Sequence, residues 1–173
     1  MKEDCDELLT GSREIFAFGE VDIEFSRRLM RDICHLRSLK DRDPITIYLN
    51  SVGGDVGLGL GLYDFIQSLK CHVTIIGVGE VASAATLILQ AADKRVLTGN
   101  SIMMLHGLTI GTENTIDNVE TYLKASKLSQ ASMLTIYSEK SNLTVVSLRN
   151  KLQRDWYITS EEALKLGFID ERI

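Results

Sequence analysis

The sequence predicts an α/β layered fold, and three observations carry that expectation. Strand-like and helix-like segments alternate over roughly the first hundred residues. The run Val73–Val78 is apolar at nearly every position, as in a strand covered by helices on both faces. Glycine-rich turns at Ser51–Asp55 and Gly77–Gly79 each lead from such a strand into a helix. The ends of parallel strands are where open α/β sheets place their sites.

Length and composition agree. The 173 residues are 45% hydrophobic and 25% charged, with a single proline. That suits one globular domain, expected over residues 13–173 behind a short N-terminal segment 1–12. Nineteen basic against twenty-four acidic side chains leave a net charge of -5. Binders of a phosphate backbone are usually basic, so no nucleic-acid partner is expected. Cys5, Cys34 and Cys71 are odd in number and form no C-x-x-C pair. They read as thiols of a reducing, cytoplasmic compartment, neither a disulfide framework nor a zinc site. Acidic residues crowd the first eleven positions, and no signal peptide is expected there. The most apolar stretch, Val73–Ala92, is broken by Glu80 and reads as a buried strand and helix, so no membrane span is expected.

The elements follow in order. Glu14–Phe18 is a short apolar strand. In Asp22–Leu39, Phe25, Leu29, Ile33, Leu36 and Leu39 recur at spacings of three and four, one helix face. Pro44–Leu49 is a strand, Val56–Leu69 a helix, Val73–Val78 a strand and Ser83–Ala91 a helix. Arg95–Leu97 and Ile102–Leu105 are short strands on either side of a Gly99-Asn100 turn. Leu108–Thr112 is a loop. Apolar residues at Ile116, Val119, Leu123, Leu128, Ala131, Leu134 and Tyr137 predict one long helix, followed by a short one near Leu143–Leu152. Thr159 and Glu162 form a capping box that opens the last helix, and Gly167 stops it.

The glycine turns are the first candidate chemistry. Backbone N–H groups at a strand-to-helix turn can bind an anion. The Walker lysine and the G-x-G-x-x-G spacing are both absent, so a nucleotide cofactor is not expected. Gly57, Gly59 and Gly61 each cost a helix about 1 kcal/mol relative to alanine, and read as close packing of that helix against the sheet or a neighbouring subunit. Ser83, among Ala82, Ala84 and Ala85, is either a helix cap or an accessible nucleophile. A nucleophilic serine needs a base. His35 and His72 read as structural, whereas His106 sits at a strand end. The third member, an acid, has twenty-four candidates; Asp155 lies between Arg154 and Trp156, but spacing does not select it.

Four ordered blocks carry a resemblance. Ile47–Gly54 resembles a Y-I-N-S-P-G-G segment, and Gly79–Ala85 a G-Q-A-A-S-M-G segment. Met103–His106 is similar to V-M-I-H, and Arg154–Ala163 to R-D-R-F-M-S-A-E-E-A. Together they resemble the proteolytic subunit of the ATP-dependent Clp protease, a serine peptidase family, over about Ser12–Ile173. The resemblance implies a layered crotonase-like fold with repeated β-β-α-type units and a protruding handle helix, here about residues 112–139. It implies a triad of Ser83 as nucleophile, His106 as base and Asp155 as orienting acid. It also implies an oxyanion hole made of the Gly54 and Ala84 N–H groups. Gly53, Gly54, Gly107 and Leu108 would bind the substrate backbone. No cofactor and no metal are implied. Polypeptide would be cut in a chamber enclosed by seven-subunit rings stacked as a tetradecamer, with an AAA+ unfoldase as a further partner. Arg154 resembles a residue linked to ring–ring contacts.

This sequence departs from the pattern in four places. Val52 stands for proline, Ala84 for methionine, and Gly107-Leu108 for Gln-Pro. Few residues precede Arg13, where the family has an axial hairpin facing its ATPase, so docking to an unfoldase is the least supported expectation. These departures fit a compact, divergent member such as a virus encodes. Two other functions compete with the serine endopeptidase. One is a non-catalytic scaffold subunit of a Clp-type ring; the other is a crotonase-like acyl-CoA enzyme, which would not need the three residues together.

Overall fold

A computed structural model describes residues 12–109, 111 and 115–173. Residues 1–11 of the expected N-terminal segment, Cys5 among them, and part of the 112–139 region lie outside the described residues. The chain runs β1 (Glu14–Phe18), α1 (Ile23–Leu39), β2 (Ile45–Ser51), α2 (Val56–Gln67), β3 (Val73–Ala82) and α3 (Ala84–Gln90). It continues through β4 (Lys94–Leu97), β5 (Ile102–Leu105), α4 (Ile116–Glu139), α5 (Val145–Lys151), β6 (Trp156–Thr159), α6 (Ser160–Lys165) and β7 (Glu171–Arg172).

The sheet order is β1-β2-β3-β4-β7, and all of these pairings are parallel. The last part of β3 stays beside β2, through Val81 and Ser51, but parts from β4. Its residues Glu80–Ala82 pair instead with β5, which pairs antiparallel with β6. The change of partner follows a register shift between Leu49 and Ser51 and a positive φ at Gly79. Ser101 Oγ holds the bend by donating to the Gly77 carbonyl and accepting from the Gly79 N–H. β3 therefore reaches Ala82, beyond the expected Val78. The Gly99-Asn100 turn does not make a hairpin, because β4 and β5 both pair with β3 rather than with each other.

Apolar periodicity and caps set the helices. Asp22 accepts from the Phe25 N–H at 2.7 Å and opens α1, whose Phe25, Leu29, Ile33 and Leu36 are buried. Asp55 caps α2 in the same way, accepting from the Leu58 N–H. Both arms of the Thr159–Glu162 capping box are present at α6. Gly59 brings α2 against α3: a Cβ there would lie 3.1 Å from Ala84 Cβ. Gly57 meets only the Asp55 side chain and Gly61 nothing within 4 Å, so packing between helices of this chain explains Gly59 alone of the three.

One expectation needs correction. β2 and the first part of β3 alternate buried and half-buried residues, so helices cover only one face of the sheet fully. A continuous apolar run cannot show which face lacks a cover. On the less covered face Phe16 and Phe18 are exposed, and Phe16 stacks on Tyr48 at 5.1 Å. The apolar stripe of α4 is divided between cover and solvent. Met133, Leu134, Ile136 and Tyr137 are buried, while Tyr122, Leu123 and Leu128 are exposed. Helical spacing reports a shared face and says nothing of what covers it.

The last turn of α4 is tied down by Arg95 on β4. Its guanidinium donates to the Lys140 and Gly167 carbonyls, to Gln90 Oε1 and to the Asp170 carboxylate. Burial alone would raise the Asp170 carboxyl, but these hydrogen bonds and the Arg95 charge outweigh it and hold it below the usual carboxylate range. Among the described residues no helix is long and apolar enough to cross a membrane.

Candidate active site

The site forms where β3 ends. Ala82 pairs with Met104 in the β3–β5 ladder, and the next N–H, that of Ser83, donates to the Met104 carbonyl at 2.8 Å. Ser83 then turns the chain sharply into α3 with φ 53° and ψ -126°. Arg13 and Ser83 are the only non-glycine residues of positive φ among those described. Such a conformation costs on the order of 1–3 kcal/mol and persists only where the surroundings impose it. Ser83 makes no side-chain cap to its own helix. Its Oγ lies 2.7 Å from His106 Nε2, one residue beyond the end of β5.

Gly53 makes the room for this turn. A Cβ on it would lie 2.5 Å from Ser83 Cβ and 2.6 Å from the Ala82 carbonyl oxygen. Its φ of +92° would also strain any L side chain. Gly53→Ala is therefore expected to push the serine turn out of register and slow acylation of Ser83 by about 100-fold. Gly61→Ala, with open space around it, should raise helix stability by about 0.5–1 kcal/mol. Labelling rates and thermal melts of the two variants check both outcomes.

The Gly54 and Ala84 N–H groups find no acceptor among the described residues, and both residues line a cleft of about 210 Å³ with Ser83 and His106. Asp55, Val56, Leu87, Leu108, Thr109, Tyr122 and Met133 complete its walls. The other backbone candidates are differently placed. The Gly53 N–H donates to Ser51 Oγ, and its carbonyl accepts from Val21. The Gly107 N–H donates to the Leu152 carbonyl at 2.8 Å. Of the four candidates for holding substrate backbone, Gly54 and Leu108 reach the cleft.

Asp155 stands apart from the serine–histidine pair. Leu105 is the register partner of Trp156, so the antiparallel ladder puts His106 and Asp155 opposite each other one step further on. The carboxylate is exposed, and among the described residues no hydrogen bond or ion pair joins it to the imidazole. His35 is exposed on α1, and His72 faces Asp93 at 3.8 Å; neither lines the cleft. Sequence reasoning missed the contribution of α4. Tyr122 and Met133 stand outside the apolar pattern that predicted α4, and no local signal marked them, because the approach of α4 to the cleft is set by distant packing. Among the described residues no group of three or more His, Cys, Asp or Glu could hold a metal ion.

Known proteins share this arrangement of chain. The Clp protease family model matches residues 2–173. The ATP-dependent Clp protease proteolytic subunit 2 of Pseudomonas aeruginosa is 31% identical over 163 residues, covering 93% of this chain and 81% of its own. The corresponding subunit 2 of Treponema denticola is 30% identical over 162 residues, covering 92% and 81%. Among solved structures, a ClpP1 mutant from Listeria monocytogenes superposes with a TM-score of 0.88 at 27% identity, covering 96% of this chain and 94% of that one. A match that runs through every element of the sheet and both sides of the cleft leaves one conclusion: this chain belongs to the Clp protease family.

Proposed function

We propose that this chain is a serine endopeptidase that cuts extended polypeptide through an acyl-enzyme. The observation that carries the reading is the 2.7 Å contact of Ser83 Oγ with His106 Nε2 at a strained turn. For His106 to accept the serine proton at Nε2, its own proton must sit on Nδ1. Ser83 Oγ then attacks a peptide carbonyl as the proton moves to His106. The developing oxyanion is received by the Gly54 and Ala84 N–H groups, each worth about 2.7–4 kcal/mol when so placed. The imidazolium returns its proton to the leaving amine, and water releases the acyl group by the same path. Asp155, opposite His106 in the ladder, is the acid that orients Nδ1–H once the two side chains close. The apolar walls Leu87, Leu108 and Met133 suit an apolar substrate side chain beside the scissile bond.

The working form is an oligomer: two heptameric rings stacked as a tetradecamer that encloses the sites. The exposed Tyr122, Leu123 and Leu128 of α4 support it, as do Phe16 and Phe18 on the open sheet face. An AAA+ unfoldase would feed substrate to that chamber. A second reading, a non-catalytic ring subunit, draws on the open contact between His106 and Asp155. Intact mass after treatment with a fluorophosphonate tests the two. One adduct per chain, absent after heat unfolding, is expected of the endopeptidase; no adduct in an assembled ring would favour the scaffold.

A further inference from the structure

Behind the serine turn lies a pair of side chains that the mechanism above does not use. Thr86, one turn into α3, and Tyr137, near the end of α4, are 51 residues apart in sequence and both buried. Thr86 Oγ1 lies 2.6 Å from the Ser83 carbonyl oxygen and 2.5 Å from the Tyr137 hydroxyl. The direction of these bonds is decided by proton count. Threonine has one hydroxyl proton, and the carbonyl can only accept. Thr86 therefore donates to Ser83, and Tyr137 donates to Thr86. Burial pushes the phenol well above its ordinary range, so it is a proton donor at any working pH. The Thr86 N–H donates to the same Ser83 oxygen at 3.0 Å.

A carbonyl and the following N–H belong to one planar unit. Holding the Ser83 oxygen thus holds the Ala84 N–H, which is one of the two donors proposed for the oxyanion. Hydrogen bonds in series also polarise one another, and a carbonyl that accepts strongly makes its own amide a better donor. We propose that Thr86 and Tyr137 are positioning residues of the oxyanion hole. The chain Tyr137 O–H to Thr86 O–H to Ser83 C=O fixes and polarises the Ser83–Ala84 peptide, and so ties α4 to the reacting end of the site. The unit needs such restraint because Ser83 sits at positive φ, where a free peptide would rotate away. A serine protease could make its hole without this chain, because Gly54 and Ala84 supply the donors. The chain sets how firmly one of them is held. Its consequence for rate rests on the endopeptidase reading.

Ser-Ala occurs once in the sequence, at Ser83-Ala84. Protein carrying carbonyl-labelled serine and nitrogen-labelled alanine therefore gives one correlated amide signal, from this peptide alone. Tyr137→Phe should move that signal and lower kcat for a fluorogenic peptide by about 3–10-fold, with KM within about twofold. Thr86→Val should move it further and lower kcat by about 10–100-fold, while Thr86→Ser should recover most of both. Two results overturn the proposal. One is a signal unmoved by Tyr137→Phe and Thr86→Val; the other is a signal that moves while kcat stays. A purely structural role would lower the melting temperature and leave the ratio of kcat to KM in the folded protein alone. Should the wild type take no fluorophosphonate adduct, the endopeptidase reading falls by itself. The amide signal still decides the hydrogen-bonded chain, and an unmoved signal then overturns it.

Discussion

Ser83→Ala should remove peptide hydrolysis almost entirely, lowering kcat by about 10⁵–10⁶-fold, and should abolish the fluorophosphonate adduct. The residual rate would come from binding and the backbone donors alone. Assembly and the circular dichroism spectrum should be unchanged, because the side chain makes no cap and His106 is its one partner among the described residues. Ser83→Gly should be equally inactive yet more stable than Ser83→Ala by about 1 kcal/mol. Glycine adopts φ 53° without strain, a gain of on the order of 1–3 kcal/mol, set against about 0.5–1 kcal/mol for its freer unfolded chain. A chemical denaturation series on the three proteins measures this difference. If glycine and alanine prove equally stable, the turn stores no strain and the serine is not held there for chemistry.

Asp155→Asn should lower kcat by about 10⁴-fold with little change in KM, because in the proposed mechanism the carboxylate closes on His106 Nδ1. The ladder makes this closure short. Leu105 and Trp156 are already paired, and only the side chains one step beyond must meet. An asparagine would offer an N–H where the imidazole needs an acceptor, favouring the wrong tautomer. Steady-state hydrolysis of a fluorogenic peptide by the assembled variant measures the loss. An unchanged kcat would remove Asp155 from the mechanism and leave a serine–histidine pair that works without it.

The candidate residues differ in how far the sequence reaches them. Ser83 and His106 were legible from local pattern, Ser83 by its small neighbours in a strand-to-helix turn and His106 by its place at a strand end. Their contact was not, since it depends on the β3–β5 register. Asp155 was not selectable from its neighbours at all. Its place follows from the antiparallel pairing of β5 with β6, a strand the sequence pattern did not separate from its surroundings. Thr86 carried a faint signal, a hydroxyl inside the apolar run Ala84–Leu89, where a buried polar group needs a partner. Nothing local named Tyr137 as that partner.

The order of elements from β1 through α5, the helix caps and the strand-to-helix glycine turns are properties of neighbours along the chain, so the sequence by itself determined them. Asp22, Asp55 and Thr159 cap their helices for that reason. The bend in β3, the open sheet face and the approach of α4 to the cleft were decided by tertiary structure alone. Each depends on groups tens of residues apart, and their meeting is settled by which strands pair and which faces find cover.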